Sequence, residues 1–314
     1  MVKIVLFTIL LVMVVCFAFI FFRDYIKTGK ENKLEKSNFF ALGAVGFLTN
    51  FFDTLGIGSF APTTALLKFF KLSKDRTLPG TLNVSCTIPV VIEALIFITV
   101  IKVDPLTLFL MLAAGAVGSV IGADIVSKLD EKKIEVAMGA ALVIVALVML
   151  ASQLKLMPSG GTQVGLTGWK LIVAIAGNFI LGALMTLGIG LYAPCMALVF
   201  ALGMSPRVAF PIMMGSCAFL MPVASVKFVR TGSYDRKASL AITIFGVVGV
   251  LIAAYIVKSL PLNILTWLVI VVIFYTAVTM FMSANKKEMQ EVRVKRLNHK
   301  NGIDILQKIN YNQL

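Results

Sequence analysis

The sequence predicts an all-α integral membrane protein: an inverted repeat of two four-segment units, each with a re-entrant or broken helix plus three spans, preceded by one extra N-terminal helix. Three observations predict it: the composition, two apolar segments too long for one straight span, and a match between those two segments. Of 314 residues, 59% are hydrophobic and only 14% are charged. The mean hydropathy is +0.96. An average soluble domain is about 45–50% apolar and about 25% charged, and a chain of this length encloses too little interior to hide such an excess. The net charge of +14, from 29 Lys and Arg against 15 Asp and Glu, would point to nucleic acid in a soluble protein. In a membrane protein it records which loops face the cytoplasm, and no nucleic-acid partner is expected.

Two absences narrow the chemistry. The single histidine, His299, lies in the polar tail, so no His-based metal site or acid–base relay is expected within the membrane. Cys16, Cys86, Cys195 and Cys217 show no CxxC spacing and all sit in apolar stretches. They read as small buried apolar residues rather than a disulfide framework or zinc site. No cofactor and no metal are called for.

Residues 1–23 form the first transmembrane helix. The apolar run 2–22 has one positive charge before it, Lys3, and five after it: Arg23, Lys27, Lys30, Lys33 and Lys36. A cleaved signal peptide carries its charges the other way round and ends in small residues. This is a retained helix with its N-terminus outside, followed by a cytoplasmic loop over 24–37. The first repeat unit, 38–154, holds apolar segments at about 38–72, 79–101, 106–126 and 134–154. An external linker spans 155–170. The second unit, 171–284, holds segments at about 171–202, 208–229, 238–256 and 262–283. Residues 285–314 are a basic cytoplasmic tail, with Met289, Val292, Ile305 and Ile309 scattered along it, attracted to anionic lipid.

Most segments are one span long. Segments 38–72 and 171–202 are not: straight helices of that length would measure ~50 Å against a ~30 Å hydrocarbon core. They also match. Shifted by 132 positions, Thr54-Leu-Gly-Ile-Gly-Ser-Phe-Ala-Pro-Thr-Thr-Ala-Leu66 lies over Thr186-Leu-Gly-Ile-Gly-Leu-Tyr-Ala-Pro-Cys-Met-Ala-Leu198, with nine of 13 positions identical. The same shift pairs Phe47 with Phe179, Ser73 with Ser205 and Pro79 with Pro211; a shift of 131 pairs Val126 with Val257, Met149 with Met280 and Ser152 with Ser283. The chain is an internal duplication.

The positive charges decide how the two units are oriented. Outside the tail, which holds seven, there are 22 Lys and Arg. If every segment crosses, they divide 12 to 10 between the two sides, which is no bias. If the two long segments are re-entrant, residues 23–36, 68–76, 128–133 and 227–237 share one side with 16, and the other keeps six: Lys3, Lys102, Lys155, Lys170, Arg207 and Lys258. Only the re-entrant arrangement obeys the positive-inside rule. It gives seven crossings, two hairpins entering from opposite faces, the N-terminus outside and the C-terminus in the cytoplasm.

Backbone leaves a helix inside a membrane only where it is buried in protein or lines a cavity. Gly56 and Gly58 form one hairpin tip, Gly188 and Gly190 the other, where glycine allows a tight turn. Pro62 and Pro194 fall in the first turn of the half-helix that follows, where a missing N–H costs nothing. Ser59 reads as the N-cap of the first half-helix; Leu191 in the second leaves its donors less satisfied. Two half-helix N-termini meeting at the midplane make an anion site. The candidate substrate-binding residues are Thr54, Gly56, Gly58, Ser59, Thr63, Thr64, Asn83 and Ser85 from the first unit, and Thr186, Gly188, Gly190, Tyr192, Cys195 and Ser216 from the second. Thr81 and Cys217 lie on the same segments. No basic residue falls in the expected centre; Lys68 and Lys227 lie toward the cytoplasmic end.

Three acids fall within spans. Asp53 precedes the first tip, and its repeat partner is Met185. A charge in mid-membrane costs about 2.5–3.5 kcal/mol and usually serves function, so Asp53 is the candidate coupling group for a proton or cation. Glu93 has no partner evident in the sequence, and Asp124 lies near the cytoplasmic end.

The two Gly-x-Gly…Ala-Pro tips, the Pro79-Gly-Thr-Leu-Asn83 stretch and the Gly122…Ser127-Lys-Leu-Asp-Glu-Lys-Lys133 loop resemble the TauE/SafE-type sulfite and organosulfonate exporters, also called toluene sulfonate uptake permeases. The resemblance covers about 38–283. It implies transport of sulfite, a sulfonate or a related sulfur oxyanion across the bacterial inner membrane. The second unit has Gly215 where Asn83 stands in the first, so an asymmetric site is expected. The expected function is a secondary carrier of a small anion, working by alternating access, with a proton or other coupling ion, the lipid bilayer and a further copy of the chain as partners. The alternatives are a carrier of a cation or neutral metabolite with Asp53 as cation ligand, and a membrane assembly protein. An enzyme is not expected, since the sequence shows no paired carboxylates and no nucleotide-binding loop.

Overall fold

The structure is a computed structural model that describes residues 2–74, 77–121, 131–154, 156, 161–185, 191–261, 263, 264, 266–286 and 289. Among the described residues the fold is all-helical, with no strand beyond one isolated bridge between Gln163 and Met204. The helices are α1 (Val2–Lys30), α2 (Phe39–Thr54), α3 (Phe60–Phe69), α4 (Leu78–Val100), α5 (Pro105–Ile121), α6 (Glu131–Gln153), α7 (Gly168–Met185), α8 (Tyr192–Ala201), α9 (Pro206–Thr231) and α10 (Arg236–Ser259). The last is α11 (Thr266–Lys286). Six of these, α1, α4, α7, α9, α10 and α11, are long and apolar enough to cross a membrane. Large apolar side chains stand exposed around the outside, among them Ile4, Leu11 and Phe19 on α1, Ile172 on α7, Leu251 on α10 and Val271 on α11. That coat suits lipid and not water. The chain is a multi-pass membrane protein.

The first long segment is broken where its glycines fall. α2 stops at Thr54 and α3 starts at Phe60, with Gly56 at φ 97° and Gly58 at φ 89° between them. An L side chain is strained in both conformations. In the second long segment α7 ends at Met185 and α8 begins at Tyr192; Thr186, Gly188 and Gly190 lie outside the described residues. So do Asp124, Lys155, residues 122–130 of the loop and most of the tail.

Helix starts follow local chemistry. Asn38 caps α2, accepting from the N–H groups of Phe40 and Ala41. Asp235 caps α10 through the Ala238 N–H at 2.8 Å, and Asp104 caps α5 through the Thr107 N–H at 2.8 Å. These aspartates are 131 positions apart, the later of the two shifts at which the sequence matches itself. Burial raises the Asp235 carboxyl to about 6.

Loop contacts fall into two groups. In the first, Ser37 Oγ donates to the Leu72 carbonyl at 3.0 Å, the Asp235 N–H to Thr81 Oγ1 at 2.9 Å, and Ser73 Oγ to Asp235 Oδ2 at 3.4 Å. Tyr234 Oη and Arg236 Nε both reach Asp24 Oδ2, at 2.6 and 2.8 Å. In the second, the Asp104 N–H donates to the Val164 carbonyl at 2.8 Å and the Ser205 N–H to the Gln163 carbonyl at 2.9 Å. Lys170 Nζ reaches the Leu202 carbonyl at 3.2 Å and Arg207 the Leu260 carbonyl at 2.6 Å. The α2–α3 pair therefore starts and finishes in the first group, and α7–α8 in the second.

Each broken segment packs on a helix from the other half of the chain: α2 on α10, and α7 on α5. Glycine sets the spacing. A Cβ at Gly118 would lie 2.0 Å from the Phe179 carbonyl oxygen, and one at Gly249 would lie 2.4 Å from that of Phe47. Gly118 and Gly249 are repeat partners, as are Phe47 and Phe179, so one contact is made twice. α4 and α9 pack on each other and carry internal prolines, Pro89 in α4 and Pro211 and Pro222 in α9. α8 is buried nearly all round, from Tyr192 to Phe200, as expected of a helix enclosed by others.

Candidate functional site

The break between α2 and α3 places Gly58, Ser59, Phe60 and Pro62 on one wall of a cavity of about 230 Å³. Leu191, Tyr192 and Ala193, at the start of α8, line the same cavity. Val90 of α4, Met185 of α7 and Cys217 and Met221 of α9 fill in between, and α11 closes one side with Tyr275, Thr276, Thr279, Met280 and Ser283. Both half-helix N-termini thus line one space. Neither has a side-chain cap. Helix starts of this kind present N–H groups with no partner in the helix, and a favourable potential for negative charge.

Asp53 lines the cavity and is buried. It accepts a hydrogen bond from Ser59 Oγ at 3.0 Å. This corrects the reading of Ser59 as a capping side chain: the residue stands at the N-cap position but has helical φ and ψ, of −83° and −29°. Its hydroxyl serves the buried carboxyl, which has more need of a donor than a helix end facing a cavity does.

Glu93 also differs from the expectation of an unpartnered acid. It is fully buried and touches two hydroxyls, Thr54 Oγ1 at 2.6 Å and Tyr192 Oη at 3.2 Å. Thr54 is the last residue of α2 and Tyr192 the first of α8, so one side chain joins the two broken segments. Asp53 and Glu93, 40 positions apart in sequence, are both tied to the α2–α3 break, Asp53 through Ser59 and Glu93 through Thr54, which the reading of the acids as separate groups did not anticipate.

Of the residues singled out from sequence, the cavity lining brings together Asp53, Gly58, Ser59 and Tyr192, with Thr54 one hydrogen bond behind through Glu93. Gly56 packs against Met196 and Met213. The others are engaged elsewhere. Thr63 Oγ1 bonds Thr49 Oγ1 at 2.9 Å, and Thr64 is half-buried on α3. Asn83 Nδ2 bonds the Pro79 carbonyl, and Ser85 Oγ the Leu82 carbonyl. Thr81 belongs to the first loop group. Ser216 Oγ accepts from Asn178 Nδ2 at 2.9 Å and donates to the Ile212 carbonyl. Cys195 is buried within α8, and it is Cys217 that reaches the cavity, its Sγ 3.5 Å from Met185 Sδ. The hydroxyls of α11 were missed. Their signal was available: Thr276, Thr279 and Ser283 are spaced three and four apart on one helical face.

The sequence profile of the sulfite exporter TauE/SafE family matches residues 1–149 and 170–305. The chain belongs to the TauE/SafE sulfite exporter family. The match takes in α1 and much of the tail, beyond the stretch 38–283 that holds the resembling motifs. No curated protein and no solved structure matches this chain. TauE/SafE proteins are membrane transporters of small molecules, and this member's cavity lies among the helices of a multi-pass fold, with Thr276 and Thr279 donating to the Val272 and Thr276 carbonyls of their own helix. Among its lining residues Asp53 is the one ionised at neutral pH in water, and neither Lys nor Arg is present.

Proposed function

We propose that this protein is a secondary transporter of a small anion, most specifically sulfite, a sulfonate or a related sulfur oxyanion, bound where the α2–α3 break faces the start of α8. The observation that carries the reading is the convergence of two uncapped helix N-termini on one cavity. Such donors hold an anion without a lysine, weakly enough to release it. Thr276, Thr279, Ser283 and Tyr192 add hydroxyls. Thr54, Gly56, Gly58 and Ser59 are proposed as substrate-binding residues, as are Thr186, Gly188 and Gly190, which match the first three in the sequence.

The proposed topology is an inverted repeat over 38–154 and 171–284, in the inner cell membrane, with the N-terminus outside. Support comes from the loop contacts: the basic stretches 23–36, 68–74 and 227–237 adjoin the first group, and Lys102, Lys170 and Arg207 adjoin the second. In that topology α2–α3 and α7–α8 are hairpins from opposite faces, and alternating access is a rocking of one unit against the other. Asp53 is the proposed coupling group. A carboxylate and an oxyanion do not share 230 Å³ without strong repulsion, so Asp53 is protonated when the anion is bound.

The acidic, base-free lining also favours a second reading, a cation or neutral-metabolite carrier with Asp53 as the cation ligand. Flux of radiolabelled sulfite, taurine or sulfoacetate in proteoliposomes, with and without an imposed pH gradient, separates the two. The first reading expects saturable oxyanion flux that responds to the gradient. Cation flux with no oxyanion flux overturns it.

A further inference from the structure

Glu93 is used by nothing above except as a tie between α2 and α8, and its hydrogen bonds do not balance if it is ionised. Thr54 Oγ1 has one hydrogen. It lies 2.9 Å from the Asn50 carbonyl oxygen and 2.6 Å from Glu93 Oε1. A carbonyl oxygen cannot donate, so when Thr54 donates to Asn50 the contact with Glu93 needs a hydrogen on Oε1. Tyr192 then donates to Oε2 at 3.2 Å. With Glu93 neutral, each hydroxyl hydrogen has one acceptor. With Glu93 ionised, one of the two Thr54 contacts has none.

The surroundings agree. Glu93 has no exposed surface. The titratable groups that face it are Asp53 at the hairpin tip, Tyr192 on α8, Cys217 on α9 and Cys86 on its own helix. All are acids or neutral, and among the described residues α1, α3 and α10, which also pack on α4, bring no base to it. An isolated carboxylate in so dry a place is costly.

We propose that Glu93 is a second proton-carrying group of the transport cycle, distinct from Asp53. It holds its proton while the α2–α8 junction is closed and gives it up when the junction opens to water. The proton leaves Oε1 for water admitted beside Tyr192, whose ring lines the cavity. Thr54 then turns its hydrogen from the Asn50 carbonyl to Glu93, and Tyr192 keeps its bond, so the ionised state has two donors. Opening and deprotonation are thereby the same event, and a return to the closed form requires a proton. This rests on the transport reading above.

The test uses the full chain, wild type and Glu93→Gln, in two measurements. The glutamine side chain keeps the shape of the neutral acid, with an amide hydrogen for Thr54 and a carbonyl for Tyr192. In proteoliposomes carrying radiolabelled sulfite, E93Q should keep counterflow exchange and lose accumulation driven by a pH gradient. A wild-type response to the gradient in E93Q overturns the proposal. In purified protein at neutral pH, the infrared carbonyl stretch of a protonated carboxylic acid should be present in Asp53→Asn, which removes the other cavity carboxyl, and should weaken when Glu93→Gln is added to that variant. An unchanged band in the double variant, or no band in Asp53→Asn, also overturns it. Absence of sulfite flux in wild type counts against the transport reading instead, and the infrared result then still decides whether Glu93 holds a proton.

Discussion

Gly58 shows how much one residue contributes at the hairpin tip. Its φ of 89° disfavours any side chain, yet a Cβ there would meet nothing within 4 Å, because the position opens on the cavity. Gly58→Ala should therefore cost only the backbone strain, about 1–2 kcal/mol, while Gly58→Leu should place its side chain in the cavity and abolish sulfite flux in protein that still elutes as a single folded species. Undiminished flux in the leucine variant would remove the tip from the substrate path. Gly58, Ser59 and Tyr192 were legible in the sequence because all three fall within the 13-residue stretches that match each other. Glu93 was not, since its partners Thr54 and Tyr192 lie 39 and 99 positions away and no local pattern announces them. Thr276 and Thr279 did carry a signal in their spacing, but a weak one, since hydroxyls on an apolar helix also serve plain helix packing.

Helices and their caps carry the next level. The breaks in the two long segments could be read from length alone, but the partners of those segments could not: α2 lies on α10 and α7 on α5, a choice made by glycines that approach distant carbonyls. The equivalent caps Asp104 and Asp235 were also hidden, as single aspartates in short loops. Asp235 makes a measurable prediction. Its carboxyl lies at about 6, above the usual 3.8, chiefly through burial, so the folded chain binds that proton more tightly than the unfolded chain does. The sign follows: the penalty on the charged form is absent below about 4, grows as pH rises to about 6, and is constant above. Asp235→Asn caps the helix equally well and lacks this slope. The melting temperature of wild type relative to the variant, measured in detergent, should fall across that window, as stability declines by about 1 kcal/mol per pH unit. Parallel curves would show that the carboxyl does not titrate there.

For the whole molecule, composition gave the membrane class, and short repeated motifs gave the family. What lay beyond them was the cavity, because it is assembled from six separate stretches of chain. The proposed orientation has its own check. On a background with Cys16, Cys86, Cys195 and Cys217 replaced by alanine, single cysteines at Asn32 and Lys74 should react with an impermeant thiol reagent from one side of the membrane, and one at Val164 from the other. Reaction of the Asn32 and Lys74 positions from opposite sides would exclude a re-entrant α2–α3. The glycine contact between Phe47 and Gly249 has a consequence for biosynthesis. About 200 residues separate the two, so at roughly 5–20 residues per second the ribosome needs on the order of 10–40 s to deliver α10 after α2 has emerged. Through that interval α2, with Asn50 and Asp53 on it, lacks the helix that will cover it. The insertion machinery, or a chaperone beside it, must shelter a polar half-finished hairpin until the last third of the protein arrives.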